Sequence, residues 1–191
     1  DNGYSVTAMA YKNSWNATDQ VPLRAVESGQ IGRFGSLAPS DGGDTSRTSL
    51  SYAMRQRTQN RLFEFDAYLI RSQLELNSDF TYFLAKPASG DQFQQSERRT
   101  VAGVNASESW NTQLFGLPLR NKLGVQARVD RLSPVGLYST VERVRQSTVR
   151  EDKVREASIG LYGENTVQWL LWLRSVAGLR YDAYRFNVES S

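Results

Sequence analysis

Apolar and polar residues alternate one by one along several stretches of this chain. The clearest stretch, residues 121–130, has apolar side chains at every second position: Leu123, Val125, Ala127 and Val129. Successive side chains of a β-strand point to opposite faces of the sheet. This stretch therefore predicts a strand with one apolar face and one polar face.

The same alternation predicts about seven strands along the chain. They cover residues 3–12, 46–57, 61–73, 99–110, 121–130, 154–163 and 167–188. Long linkers with Pro, Gly and many polar residues are expected at residues 13–45, 74–98 and 133–152. Tight turns are expected at residues 58–60 and 164–166. Connections that are alternately long and short are typical of up-and-down membrane barrels, whose short turns lie on one side of the membrane.

We therefore expect an all-β chain that forms an antiparallel up-and-down transmembrane β-barrel. An odd strand number further predicts an incomplete, open portion of about 7–8 strands, since closed bacterial single-chain barrels have even counts. A soluble sandwich or lipocalin-like barrel also alternates, but its longer loops are not expected to lie at one end only.

The composition excludes a helical membrane protein. Only 39% of the 191 residues are hydrophobic, and the mean hydropathy is -0.52. No segment approaches the roughly 20 apolar residues that a spanning helix needs, whereas a barrel strand needs only about 9–11 residues, half of them polar.

The chain contains no Cys and no His. This removes thiolate metal sites, Cys nucleophiles and any catalytic triad with an imidazole base. We therefore expect a protein without enzymatic activity, bound metal or cofactor. The net charge is only +3, and the arginines are spread along the chain instead of forming one basic patch, so we expect no nucleic-acid partner.

Three segments carry a resemblance to a known family. Residues 124–130 read Gly-Val-Gln-Ala-Arg-Val-Asp, residues 136–138 read Gly-Leu-Tyr, and residues 174–186 read Arg-Ser-Val-Ala-Gly-Leu-Arg-Tyr-Asp-Ala-Tyr-Arg-Phe. Together with residues 14–16 and 41–47, they resemble the transporter barrel of TonB-dependent outer-membrane receptors, in which a strand of the form xVAGLRYDxYxF recurs. The resemblance covers nearly the whole chain, but its motifs are strand patterns.

The family has an N-terminal plug domain, a short box that contacts an energy-coupling protein, and a barrel of roughly 22 strands. The resemblance implies that residues 1–191 are a partial barrel domain that lacks the plug and the remaining strands. It implies a place in the Gram-negative outer membrane, in contact with lipid. There the protein would bind a scarce small-molecule ligand, an iron-siderophore-like chelate first of all, and pass it to the periplasm with energy from a TonB-type partner.

Five residues are candidates for contact with such a ligand, because strand parity places them on the polar face that would line the barrel lumen: Arg128, Asp130, Arg180, Asp182 and Tyr184. Barrel interiors are polar by construction. A structural network of ion pairs is therefore the favoured interpretation of these five residues, and ligand contact is the alternative.

Two further sets of charged residues have alternative interpretations. Glu64 and Asp66 share the polar face of one strand, and we expect them to pair with luminal Arg instead of forming a catalytic acid pair. The charged run at residues 143–156 is interpreted as a solvated loop, with contact to anionic lipid headgroups as the alternative.

A complete small outer-membrane barrel with a structural or adhesion role is the main alternative function. It predicts an eighth strand, split out of residues 114–119, and pairing between the first and last strands. A soluble sheet protein would instead bury its apolar side chains against a second protein layer.

Overall fold

The computed structural model describes residues 2–190 and contains a single seven-stranded sheet. Each strand pairs antiparallel with its neighbours in sequence. The strands are β1 (Gly3–Asn16), β2 (Gly42–Arg57), β3 (Arg61–Ser78), β4 (Phe93–Leu114), β5 (Leu117–Val141), β6 (Val144–Leu170) and β7 (Leu173–Ser190). A short helix, α1 (Leu23–Glu27), lies between β1 and β2, within a region expected to be loop only. The expected all-β, up-and-down architecture is confirmed.

The sheet is open. In the described part of the chain, β1 pairs only with β2 and β7 pairs only with β6. Residues 114–119 belong to the β4–β5 hairpin, whose turn is Phe115 and Gly116. The eighth strand and the first-to-last pairing expected of a complete small barrel are therefore not present among residues 2–190.

Two expected connections are wrong. Residues 133–152 are not a long linker, because β5 continues to Val141 and β6 begins at Val144. Ser133 and Pro134 interrupt the pairing of β5 with β6. The strand accommodates them as a bulge, and the pairing resumes at Val135. The charged run at residues 143–156 is accordingly mostly strand β6 and not a solvated loop.

The tight turn expected at residues 164–166 is also wrong. Glu164 pairs with Lys122 and Thr166 pairs with Arg120, so the β5–β6 ladder continues through these residues. The turn lies instead at residues 171–172, which are Leu and Trp. The polar residues 164–166 suggest a turn by their local preference, but their pairing with β5 overrides that preference.

The two ends of the sheet differ. At one end lie the short turns 58–60, 115–116 and 171–172. At the other end lie residues 17–41, here called loop 1, residues 79–92, called loop 2, and residues 142–143, called the hairpin tip. The strands β5 and β6 extend past their neighbours, so the hairpin tip reaches the region of the two long loops.

The register brings the alternating apolar residues of neighbouring strands together on one face. A row across the sheet joins Ala8, Leu50, Leu69, Ala102, Val129 and Ala157. A row on the other face joins Thr7, Ser51, Tyr68, Gly103, Arg128, Ser158 and Tyr184. These are called the apolar face and the polar face.

Burial on the two faces is the reverse of that in a soluble protein. On the apolar face, Leu50, Leu123 and Leu161 are 52%, 56% and 53% exposed, whereas Asp130 on the polar face is 3% exposed. Extensive contacts between strands occur only between sequence neighbours. Among the described residues, therefore, no second layer covers the apolar face.

Side chains on the polar face lie down across the sheet. The ring of Tyr68 covers Gly103 on the next strand, and the ring of Tyr162 covers Gly124. A Cβ atom at either glycine would overlap the ring. Glycine is required at both places because a tyrosine from the neighbouring strand occupies the space above the backbone.

Candidate functional site

The polar face contains an open groove of about 620 Å³ near the end with the short turns. Strands β1 to β6 contribute polar side chains to its lining: Ser5, Arg55, Glu64, Asp66, Asn105, Ser107, Lys122, Gln126 and Tyr162. Because six strands line a single groove, the sheet is concave on its polar side there.

Glu64 lies at the centre of the charges in this groove. Its carboxylate is 3.6 Å from Nε of Arg55 on β2 and 3.8 Å from Nζ of Lys122 on β5. The expected pairing of Glu64 with an arginine is thus confirmed. The pairing expected for Asp66 is wrong: Asp66 is exposed and forms no ion pair among residues 2–190, so the groove contains one carboxylate that no described cation pairs with.

Arg128 and Asp130 form a bidentate ion pair within β5. Nε and Nη2 of Arg128 donate to the two carboxylate oxygens of Asp130 at 2.6 and 2.9 Å. The side chain of Asp130 is only 4% exposed, and Nε of Arg99 lies 3.6 Å from it. Asp130 therefore holds two strands together through its arginine partners, as the structural interpretation expects.

Arg180, Asp182 and Tyr184 form a second group on β7. Nη2 of Arg180 lies 2.7 Å from the carboxylate of Asp182, and the ring of Tyr184 stacks on Phe186 with centroids 6.2 Å apart. The Arg180 and Asp182 side chains are 45% and 30% exposed. The carboxylate of this group is more accessible than that of the pair on β5, whereas Arg128 at 50% exposed is as accessible as Arg180.

The five candidate residues therefore share the polar face but form two separate groups. The strands that carry them are separated by β6, about 10 Å from β5 to β7. None of the five lines the groove. The groove residues Arg55 and Lys122 were missed as candidates because only the register shows that both reach Glu64.

A second polar cluster lies where loop 1, loop 2 and the hairpin tip meet. This loop junction consists of Ser40, Asp41, Asp79, Gln92 and Arg143. The carboxylate of Asp41, only 1% exposed, accepts hydrogen bonds from the backbone N–H of Asp79 at 3.1 Å and from Nε2 of Gln92 at 2.9 Å. Asp41 thus connects the end of loop 1 to both ends of loop 2.

Gln92 and Arg143 extend the loop junction to the hairpin tip. Oε1 of Gln92 accepts from the backbone N–H of Arg143 at 2.9 Å. Nε of Arg143 donates to the carbonyl of Ser40 at 2.6 Å, and its Nη2 donates to Oδ1 of Asn16 at 3.3 Å. Three connections that are distant in sequence are therefore fixed relative to one another.

The loop junction changes the acidity of its carboxylates. Burial raises the pKa of Asp41 to about 6, and the nearby carboxylates of Asp19 and Asp79 raise it further, against the hydrogen bond from Gln92. Burial also raises the pKa of Asp79. In loop 2, hydrogen bonds from the backbone of Ala85 and from Thr81 hold the pKa of Asp91 below its usual value.

Neither cluster has the composition of a metal site. Among residues 2–190 there is no group of three or more Asp, Glu, His or Cys side chains placed to hold a metal ion. Over the same residues, no helix has the length and apolar character needed to cross a membrane.

Comparison of the chain with protein-family models gave no match. Comparison with curated proteins gave none either. A functional conclusion therefore depends on the geometry of the sheet and on the resemblance of the strand patterns.

Replacement of Arg143 tests whether the loop junction fixes the loops. Glu142 and Arg143 both have positive φ, 49° and 68°, so glycine at either position relieves backbone strain. We expect Arg143→Gly to lower the free energy of opening of loop 1 by about 2 kcal/mol, because its hydrogen bonds are lost. Glu142→Gly, the matched control, should leave loop 1 unchanged. Amide hydrogen exchange of residues 17–41 in the intact protein measures this; equal protection in both variants would contradict it.

The raised pKa of Asp41 predicts that the loop junction weakens as pH rises. The folded state holds a proton on Asp41 up to about pH 6, whereas an unfolded aspartate loses it near pH ~4. The stabilisation is thus complete below that lower value and is lost as pH rises through about 6. We expect proteinase K to cleave loop 1 faster at pH ~7.5 than at pH ~5, relative to Asp41→Asn at the same pH. A ratio of wild-type to variant rates that does not change with pH would contradict this prediction.

Proposed function

We propose that this chain is a section of the barrel of a TonB-dependent outer-membrane receptor. In this role it binds a scarce ligand, an iron-siderophore-like chelate, which crosses to the periplasm with TonB-coupled energy. The observation that carries the proposal is the reversed burial of the sheet. Leu50, Leu123 and Leu161 are about half exposed while Asp130 is buried, an arrangement that is favourable where lipid contacts the apolar face and water fills the concave side.

The open edges support a section of a larger barrel. In the hydrocarbon region every backbone N–H and C=O group needs a partner, so a sheet that spans a membrane must close on itself. Strands β1 and β7 each pair on one side only within residues 2–190. Further strands that pair with both edges satisfy this requirement, whereas a complete small barrel requires β1 to pair with β7.

The polar face supports a water-facing interior. The ion pairs Arg55–Glu64 and Arg128–Asp130 lie on this face, and Arg is well suited to bidentate pairing in a confined space. The group Arg180, Asp182 and Tyr184 has no buried member, with Asp182 30% and Tyr184 64% exposed against 4% for Asp130, so it is the group that we propose to meet a ligand or a plug. Asp130 is a structural residue in this scheme.

The loops support ligand capture at the opposite end from the short turns. Loop 1 exposes Phe34 at 92%, and loop 2 exposes Phe80 at 52%, Phe83 at 62% and Leu84 at 80%. Exposed large apolar side chains on loops that are held by a buried junction are typical of binding surfaces.

Cysteine labelling tests which face contacts lipid. These 191 residues contain no Cys, so in an intact protein with no Cys elsewhere a single introduced thiol is labelled without background. We expect a bimane probe on Val125→Cys to be strongly quenched by lipids that carry a nitroxide on the acyl chain, because Val125 lies on the apolar face. The neighbouring variant Gln126→Cys, on the polar face, should show little quenching but react with a water-soluble thiol reagent. Equal quenching of both labels in the intact, membrane-embedded protein would contradict the proposal.

Iron uptake tests the transport role. We expect cells that produce the intact protein to take up a ferric hydroxamate siderophore labelled with radioactive iron, and a protonophore to abolish this uptake. Phe34→Ala should reduce the uptake by about tenfold, since a buried aromatic contact with a ligand is worth 1–2 kcal/mol or more. The control is Phe115→Ala, because Phe115 is 93% exposed at the opposite end of the sheet. Uptake that is independent of the protein, or equal loss in both variants, would contradict the proposed role.

A further inference from the structure

Four arginines on the apolar face form what we call the arginine patch: Arg71, Arg131, Arg155 and Arg185. Arg131 on β5 lies directly opposite Arg155 on β6. Arg71 lies in the same row, reached through Thr100 on β4. Arg185 on β7 pairs with Ala157, two residues from Arg155. All four side chains are exposed.

The arginine patch has no acidic partner. Within residues 2–190, none of its four members forms an ion pair, whereas Arg55, Arg99, Arg128 and Arg180 on the polar face each pair with a carboxylate. Glu156, next to Arg155 in sequence, points to the polar face because its row contains Asp130.

Arg131 and Arg155 are like charges in directly opposed positions, which destabilises a sheet. Two strands thus place positive charge against positive charge on an exposed surface, and the acid of this face on β7, Glu189, lies opposite Lys153 instead. A bound anion removes this repulsion. Guanidinium groups bind phosphate in a bidentate geometry, and they do so more specifically than an ammonium group.

The arginine patch lies at the border of the apolar rows, on the side of the long loops. Arg185 lies in the row of Leu50, Leu69 and Val129, and the other three arginines lie in the next row toward the long loops. On β6 the next residue of this face on the loop side is Lys153, which pairs with Glu189. At the short-turn end of the same face, the charged residues Arg61 and Glu108 pair with each other at 3.3 Å. Unpaired positive charge therefore borders the apolar rows at one end only.

We propose that the arginine patch binds phosphate groups of a phosphorylated glycolipid in the membrane leaflet on the side of the long loops. This inference rests on the membrane location under the proposed function. The apolar rows set the depth of the hydrocarbon, and the patch lies where headgroups begin. The aliphatic stems of the arginines extend along the apolar surface while their charged ends reach the phosphates.

The test uses the purified intact protein in detergent and diphosphoryl lipid A as the probe. The variant Arg131→Gln/Arg155→Gln/Arg185→Gln should bind the lipid at least about tenfold more weakly than wild type, because charge-assisted contacts are lost. The matched control is Arg57→Gln/Arg120→Gln/Arg174→Gln. It removes the same charge from exposed arginines near the short-turn end and should bind as wild type does. Native mass spectrometry counts the bound lipid, and circular dichroism verifies that both variants fold.

Three further measurements test whether the lipid phosphates and the guanidinium geometry cause the binding. Monophosphoryl lipid A should bind wild type more weakly than the diphosphoryl form, and inorganic phosphate at the same concentration should not compete. Arg155→Lys, which keeps the charge but loses the bidentate geometry, should weaken binding less than the triple substitution. Undiminished lipid A binding in the patch variant, equal weakening in the control, or competition by free phosphate would overturn the inference.

The quenching experiment separates this inference from the proposed function. If Val125→Cys is quenched by lipid while lipid A binding does not depend on the arginine patch, only the lipid site is wrong. If Val125→Cys is not quenched, the membrane location fails, and the glycolipid site fails with it.

Discussion

Backbone hydrogen bonding between neighbouring strands is the interaction on which this structure depends. Most soluble sheets are stabilised by apolar side chains packed between two layers, but here the large side chains of the apolar face are exposed and strands contact only their neighbours. The backbone ladders therefore define the fold. The side chains of the apolar face are removed from water only by whatever surrounds the sheet. Under the proposed function, lipid surrounds the sheet. In hydrocarbon the ladders satisfy every backbone group except those at the outer edges of β1 and β7.

The side chains of the polar face add to the ladders by connecting strands that are not adjacent. Glu64 joins β2 to β5 through Arg55 and Lys122, although β3 and β4 lie between these two strands. Asp130 in addition connects the adjacent strands β4 and β5 through Arg99 and Arg128. Such pairs are worth little when fully solvated, but the near-complete burial of Asp130 makes the loss of its partners expensive.

The sequence predicts those parts of the fold that depend on one strand at a time. Alternation at Leu123, Val125 and Ala127 identifies both faces correctly, and seven strands are found in the expected order. Sequence reasoning fails where pairing between strands overrides local preference, as at Pro134 and at Glu164. The same limit applies to the site. Arg128 and Arg180 can be placed on the polar face by parity, but the contacts of Glu64 and the loop junction need the register and the loop path, which no single strand encodes.

The hairpin tip determines the order in which the parts of this chain can assemble. The hydrogen bond between Arg143 and Asn16 joins residues that are 127 positions apart, whereas each β-hairpin brings together residues close in sequence. Contacts between distant residues form late, because the entropy of closing a large chain loop must first be overcome. Loop 1 and loop 2 contact each other directly through Asp41 and Asp79, 38 positions apart, but the hairpin tip joins them only once β5 and β6 have paired, so the binding surface is completed late in folding.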